Sequence, residues 1–149
     1  MSHPVTIRVY GLLIQNRQIL LSRENIKGHI HTKFPGGGLE PKEGVIDCLK
    51  REFMEEVHIE LSRAEHFYTT EDYFASAFHP DQRQVLSLYY RVWTDQLQNI
   101  ITHNPDDPSK LSQDDDQVLY WAPLDQLERE PVELPIDKIV VAKLLAEFN

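Results

Sequence analysis

The stretch GGLEPKEGVIDCLKREFMEEVHI, residues 37–59, decides how this chain is read. Its start is loop-like: residues 35–44, PGGGLEPKEG, hold two prolines and four glycines in ten positions. From about Glu43 to His58, Val45, Leu49, Phe53 and Val57 recur every four residues, the signal of a helix. Counted at 100° per residue from Val45, Leu49, Phe53 and Val57 fall at about 40°, 80° and 120°. Glu52, Glu55 and Glu56 fall at about 340°, 280° and 20° by the same rule. The three carboxylates thus cluster against the apolar stripe, with Glu56 on its edge. A solvated acidic face would lie opposite the core, and like charges three and four residues apart repel. Half-buried carboxylates stay ionised only when something positive meets them. Arg51 can offset one of them, through Glu55 four residues on. A hard divalent cation can offset the rest, because Mg²⁺ prefers carboxylate, water and phosphate oxygens. The upstream glycines let backbone approach a ligand closely, and a loop feeding a helix N-terminus can present backbone groups to an anion or a metal. A glycine run alone is no more than a tight turn. Joined to a carboxylate-bearing helix, it predicts a phosphate and metal site.

Around this stretch the pattern predicts strands interleaved with helices. Residues 4–15 read as a strand, Asn16 to Gln18 as a turn and residues 19–25 as a second strand, giving a hairpin. Residues 65–78 and 85–95 are aromatic-rich strand candidates, with HPDQRQ, residues 79–84, as the turn between them. Residues 97–117 run from an extended segment into a polar loop. Residues 118–130 suggest a strand leading into a short helix, with Pro123 near its start. Ile136, Ile139, Val140, Leu144 and Phe148 define a closing helix. The expectation is an α/β or α+β sheet with helices packed on it.

Composition sets outer bounds. A chain of 149 residues suits one domain with one core, residues 1–149. No apolar run approaches the roughly 20 residues that cross a bilayer, and the N-terminus lacks the pattern of a signal peptide. The lone Cys48 excludes an internal disulfide and a cysteine-based zinc cluster. A cytoplasmic protein without a membrane partner is expected. The net charge of −9 argues against a broad grip on nucleic acid. An anionic small substrate would need local cations, either side chains or a metal.

These residues resemble the signature of the Nudix hydrolases, G-x5-E-x7-R-E-U-x-E-E-x-G-U, where U is a bulky apolar residue. Gly37, Glu43, Arg51, Glu52, Phe53, Glu55, Glu56 and Ile59 match it, and His58 stands where the family has glycine. The six fixed residues would coincide by accident on the order of once in 10⁵ chains of this size. That glycine follows the last helical turn, where a left-handed backbone is common, and His is among the non-glycine residues enriched at positive φ. The resemblance implies a Nudix-type α/β/α sandwich with a mixed central sheet. It implies Mg²⁺- or Mn²⁺-dependent hydrolysis of the diphosphate link in a nucleoside diphosphate derivative, such as a nucleoside triphosphate, ADP-ribose, a nucleotide sugar or a dinucleotide. It allows a homodimer.

Carried over residue by residue, the resemblance makes Glu52, Glu55 and Glu56 the metal-ligating carboxylates and leaves Gly36 or Gly37 to add a backbone carbonyl. Gly37, Gly38 and Glu43 belong to the box framework, where Glu43 joins the metal network or orients Arg51. Arg51 is expected to brace the box loop. The general base is Glu55, or an acid from a distant loop, for which Asp114, Asp115 and Asp116 are the candidates. The alternative is a Nudix-fold module that binds a nucleotide without hydrolysing it, although such a module would be expected to have lost box carboxylates. His29 and His31 alternate on a candidate strand and can face one side. Two histidines fall short of a metal site, and contact with substrate is the preferred reading. The aromatic residues of the later strands are read as core or interface, and Cys48 as an inert packing residue.

Overall fold

In a computed structural model, residues 4–76, 81 and 83–148 are described. Seven strands and two helices follow the order β1 (Val5–Gln15), β2 (Gln18–Ile26), β3 (His29–Lys33), β4 (Gly36–Gly38), α1 (Val45–Glu56), β5 (Arg63–Thr69), β6 (Gln84–Trp93), β7 (Gln117–Pro123) and α2 (Pro135–Phe148). Asn16 and Arg17 both take positive φ, 51° and 60°, the geometry of the two-residue turn that best matches strand twist. They close the expected β1–β2 hairpin.

The main path runs β3-β2-β1-β6-β5, with β4 added to β1 and β7 added to β2. β1 and β6 are parallel from Val5 to Leu13, while the other strand pairs are antiparallel. The sheet is therefore mixed, as expected. Alternation along β1 divides the core. Tyr10 and Leu12 point to one face, where Ile136, Val140 and Leu144 of α2 meet them. Val9 and Leu13 point to the other, against Leu49, Phe53 and Val57 of α1. Gly11 lies between, and a Cβ there would stand 2.3 Å from the Phe53 ring. A helix on each face gives the α/β/α layering. Among the described residues no helix is long and apolar enough to cross a membrane.

Four sequence expectations need correction. The glycine run is not wholly loop: Gly36–Gly38 form β4, paired with Tyr10, Val9 and Arg8 of β1. A three-residue strand without side chains carries no periodicity, so pattern reading cannot find it. The helix is two residues shorter at each end than the 43–58 expected, because Gly44 is extended and His58 turns left-handed. The strand expected over 65–78 ends at Thr69. Its register slips between His66 and Tyr68, and the Thr70 hydroxyl then accepts from the Ser87 amide at 2.9 Å. Beyond Thr69 the pairing continues through the Thr70 amide on the Ser87 carbonyl and the isolated bridge between Ala75 and Gln84. Of the expected turn over 79–84, His79, Pro80 and Gln82 lie outside the described residues, as do Ala77 and Phe78 of the expected strand. The short helix after Pro123 is a 3₁₀ turn, Leu124–Arg129.

Candidate active site

α1 lies over β4, and Arg51 stitches the two together. Its Nε and Nη2 donate to the two carboxylate oxygens of Glu43 at 2.7 and 3.1 Å. Nη2 also donates to the Gly38 carbonyl at 3.0 Å. Nη1 donates to Glu52 at 3.0 Å and reaches Glu55 at 3.3 Å. The hydrogen bonds from Arg51 hold the Glu43 carboxyl down at about 2. The two-pronged contact spans the loop from β4 to α1, so the expected brace is present. Glu43 is wholly occupied by it, with Oε1 also accepting from the Glu40 amide at 3.1 Å.

Of the three remaining box carboxylates, Glu52 and Glu56 turn inward. Glu52 rests on Gly37, where a Cβ would stand 2.5 to 2.7 Å from its carboxylate atoms. Any side chain at position 37 would displace that group. The Gly36 amide donates to Glu56 Oε2 at 3.1 Å. Gly36 has φ +148°, and a Cβ there would lie 2.1 Å from the Val9 carbonyl oxygen. Burial raises the carboxyl of Glu52, against the pull of Arg51. Burial raises Glu56 further, to about 7, although Lys33 and the Gly36 amide oppose it. Glu55 differs: its side chain is 57% exposed, so it stands at the rim.

Cations missed in the sequence face this pair. Lys33, the last residue of β3, is buried and lies 2.9 Å from Glu24. Burial alone would lower its pKa, but Tyr10, Glu24 and Glu56 leave it raised. The Nε of Arg8 donates to the Tyr10 hydroxyl at 2.6 Å. Burial opposes its charge too, and Tyr10, Glu52 and Glu56 outweigh that. A charged residue inside the apolar strand VTIRVYGLL was the available signal for Arg8. Beyond Arg8 opens a cleft of about 410 Å³, mouth included, among Tyr10, Phe74, Tyr89 and the first turn of α2. At its wall Asp137 is 1% exposed. The Tyr89 hydroxyl donates to one oxygen of Asp137, while Oδ2 has no partner among the described residues. Burial raises this carboxyl to about 6.

The remaining candidates lie elsewhere. Asp114 accepts from the Lys27 amide at 2.6 Å, the Asp115 amide donates to the Asn25 carbonyl at 2.7 Å, and Asp116 accepts from the Gln113 amide at 2.9 Å. Asp114 and Asp115 thus tie their loop to the end of β2 and the turn after it, and Asp116 closes that loop on itself. Cys48 is buried, and burial pushes its thiol up to about 12, as suits a packing residue. His29 and His31 lie not at the box but beside Glu133.

The donor set fits a hard divalent cation. Glu52 and Glu56 are two half-buried carboxylates, each pushed toward protonation by burial, with the charge of Glu55 adding to it at Glu52 and that of Glu52 adding to it at Glu56. The bare Gly37 cradles one, and the Gly36 amide fixes the other. A cation between them would relieve the burial that protonation now answers.

A family model described as the NUDIX domain matches residues 3–144. The chain belongs to the Nudix family. Membership makes it a Nudix pyrophosphohydrolase, a family whose hydrolases act on small-molecule nucleotide derivatives. Solved structures share the fold. A MutT structure from work on Aliivibrio salmonicida and Vibrio cholerae is 18% identical, with TM-score 0.66, covering 97% of this chain and 100% of that one. A Nudix hydrolase from Nitrosomonas europaea is 18% identical, with TM-score 0.69, covering 97% and 90%. A MutT Nudix hydrolase from Burkholderia pseudomallei is 20% identical, with TM-score 0.67, covering 93% and 97%. Comparison with curated proteins gave no match.

Proposed function

We propose that this Nudix pyrophosphohydrolase cleaves the P–O–P link of a nucleoside diphosphate derivative with Mg²⁺ or Mn²⁺ held by Glu52 and Glu56. The carrying observation is the convergence of these two half-buried carboxylates on Gly36 and Gly37, braced through Arg51. When bound, the metal neutralises phosphate charge and acidifies a water.

The chain's own residues do the positioning. Arg8 stands between the box glutamates and the cleft, where its charge suits a phosphate oxygen. Lys33 balances Glu56 and keeps the pocket from repelling an anion. Glu55, exposed and held by Arg51 only at its edge, is free to turn toward the attacking water and take its proton. The nucleoside lies in the cleft, its base against the Tyr10 and Tyr89 rings. Oδ2 of Asp137 accepts from an N–H of that base when ionised, or the carboxyl donates when protonated. A lone buried thiol suits the reducing cytoplasm.

Incubation with nucleoside triphosphates, ADP-ribose, nucleotide sugars and dinucleotides, each with Mg²⁺, tests this reading. The expected result is metal-dependent cleavage of at least one class, with phosphorus NMR placing the new P–O bond at the diphosphate. Turnover undiminished in excess EDTA would contradict it.

A further inference from the structure

Outside the box, the fold assembles a second set of metal-binding groups. His29 and His31 lie two apart on β3 and share one face. Their rings are 4.5 Å apart, centre to centre. Residue Glu133, a hundred positions downstream, comes to them through backbone pairing: Thr32 bridges Val132 in parallel. Side chains alternate about this bridge, which turns the residue after Val132 toward the face of His29 and His31. Glu133 Oε2 lies 3.1 Å from His29 Nε2, and one donor atom from each of the three residues lies within 4.8 Å of the others.

We propose that His29, His31 and Glu133 bind a transition-metal cation of the Zn²⁺ class at a site built from residues outside the box. Two imidazoles and one carboxylate suit zinc and its neighbours, whereas Mg²⁺ takes oxygen ligands. Ligand atoms about 2.1 Å from a tetrahedral ion stand about 3.4 Å apart. The His29–Glu133 contact is already near that value, and because all three donor atoms lie within 4.8 Å of one another, no separation needs to close by more than about 1.4 Å. His29 and Glu133 have exposed side chains that can turn to do so. Three protein ligands leave a fourth position for water. The ion would join β3 to the segment opening α2, whose Asp137 walls the cleft.

The test is calorimetric titration of the untagged full chain with ZnCl₂ in excess Mg²⁺. One Zn²⁺ equivalent should bind to the wild type. His29→Ala and His31→Ala should each weaken it by about tenfold or more, and Glu133→Gln by several-fold. Glu56→Gln, which alters the box, should leave it within about twofold. Co²⁺ provides a second readout: the wild type should show the visible absorption of a low-coordinate, histidine-ligated ion, lost in His31→Ala while circular dichroism keeps the native spectrum. Absence of a Zn²⁺ site in the wild type would overturn the proposal. So would equal binding by the histidine variants, or loss in Glu56→Gln alone.

Discussion

His58 has φ +63° at the end of α1, and its amide donates to the Phe53 carbonyl at 2.9 Å. Left-handed backbone costs a side chain about 1–2 kcal/mol. His58→Gly should therefore stabilise the protein by about 1 kcal/mol in urea titration, with turnover unchanged. Glu56 sets a pH signature. Its carboxyl is held at about 7 against an ordinary 4.5, so between those values the folded chain keeps a proton that the unfolded chain has released. Stability of the metal-free protein should fall as pH rises through that window and level off above it. Asp137, raised from 3.8 to about 6, adds a fall of the same sign. Because the metal needs ionised Glu56, Mg²⁺ should raise the melting temperature more at about pH 8 than at about pH 5.5. Glu56→Gln should remove most of that difference. A melting temperature of the metal-free wild type that climbs from pH 5 to 7 would contradict this.

At the scale of elements, the bond between α1 and its loop rests on Arg51 and Glu43. Glu43 is depressed to about 2 from 4.5, so its contribution is complete above the ordinary value and is lost as pH falls toward 2. Arg51→Lys keeps the charge but cannot meet Glu43, Glu52 and the Gly38 carbonyl together. It should cost about 1–3 kcal/mol in chemical denaturation and loosen the loop to limited proteolysis. Unchanged stability would show that the brace is idle. The helix was legible because Val45, Leu49, Phe53 and Val57 repeat on one face, and its carboxylates because they sat against that stripe. β4 was not legible. Its three glycines have no side chains to alternate, and their role as floor beneath Glu52 appears only once β1 is beside them.

Across the whole molecule, long-range pairings make the rest of the site. Arg8, Lys33 and Asp137 come from β1, β3 and α2, and nothing local in the sequence brings them together. Asp137 stands in the first turn of α2, where a carboxylate suits the dipole; its hydrogen-bond partner, Tyr89, lies on β6. Likewise Glu133 joins His29 and His31 only through the bridge at Thr32. Asp137→Asn removes the charge while keeping a partner for Tyr89. It should change KM for the preferred substrate by about tenfold and leave Mg²⁺ affinity unaltered. An unchanged KM across the substrate panel would place the base elsewhere.

The central claim is that Glu52 and Glu56 hold the ion that drives hydrolysis. Its most direct test is single-turnover hydrolysis and Mg²⁺ titration of wild type and Glu56→Gln, with circular dichroism to confirm the fold. We predict that Glu56→Gln loses about 10²-fold or more in rate and binds Mg²⁺ measurably more weakly, with its spectrum intact. A folded Glu56→Gln protein that turns substrate over at the wild-type rate would contradict the account.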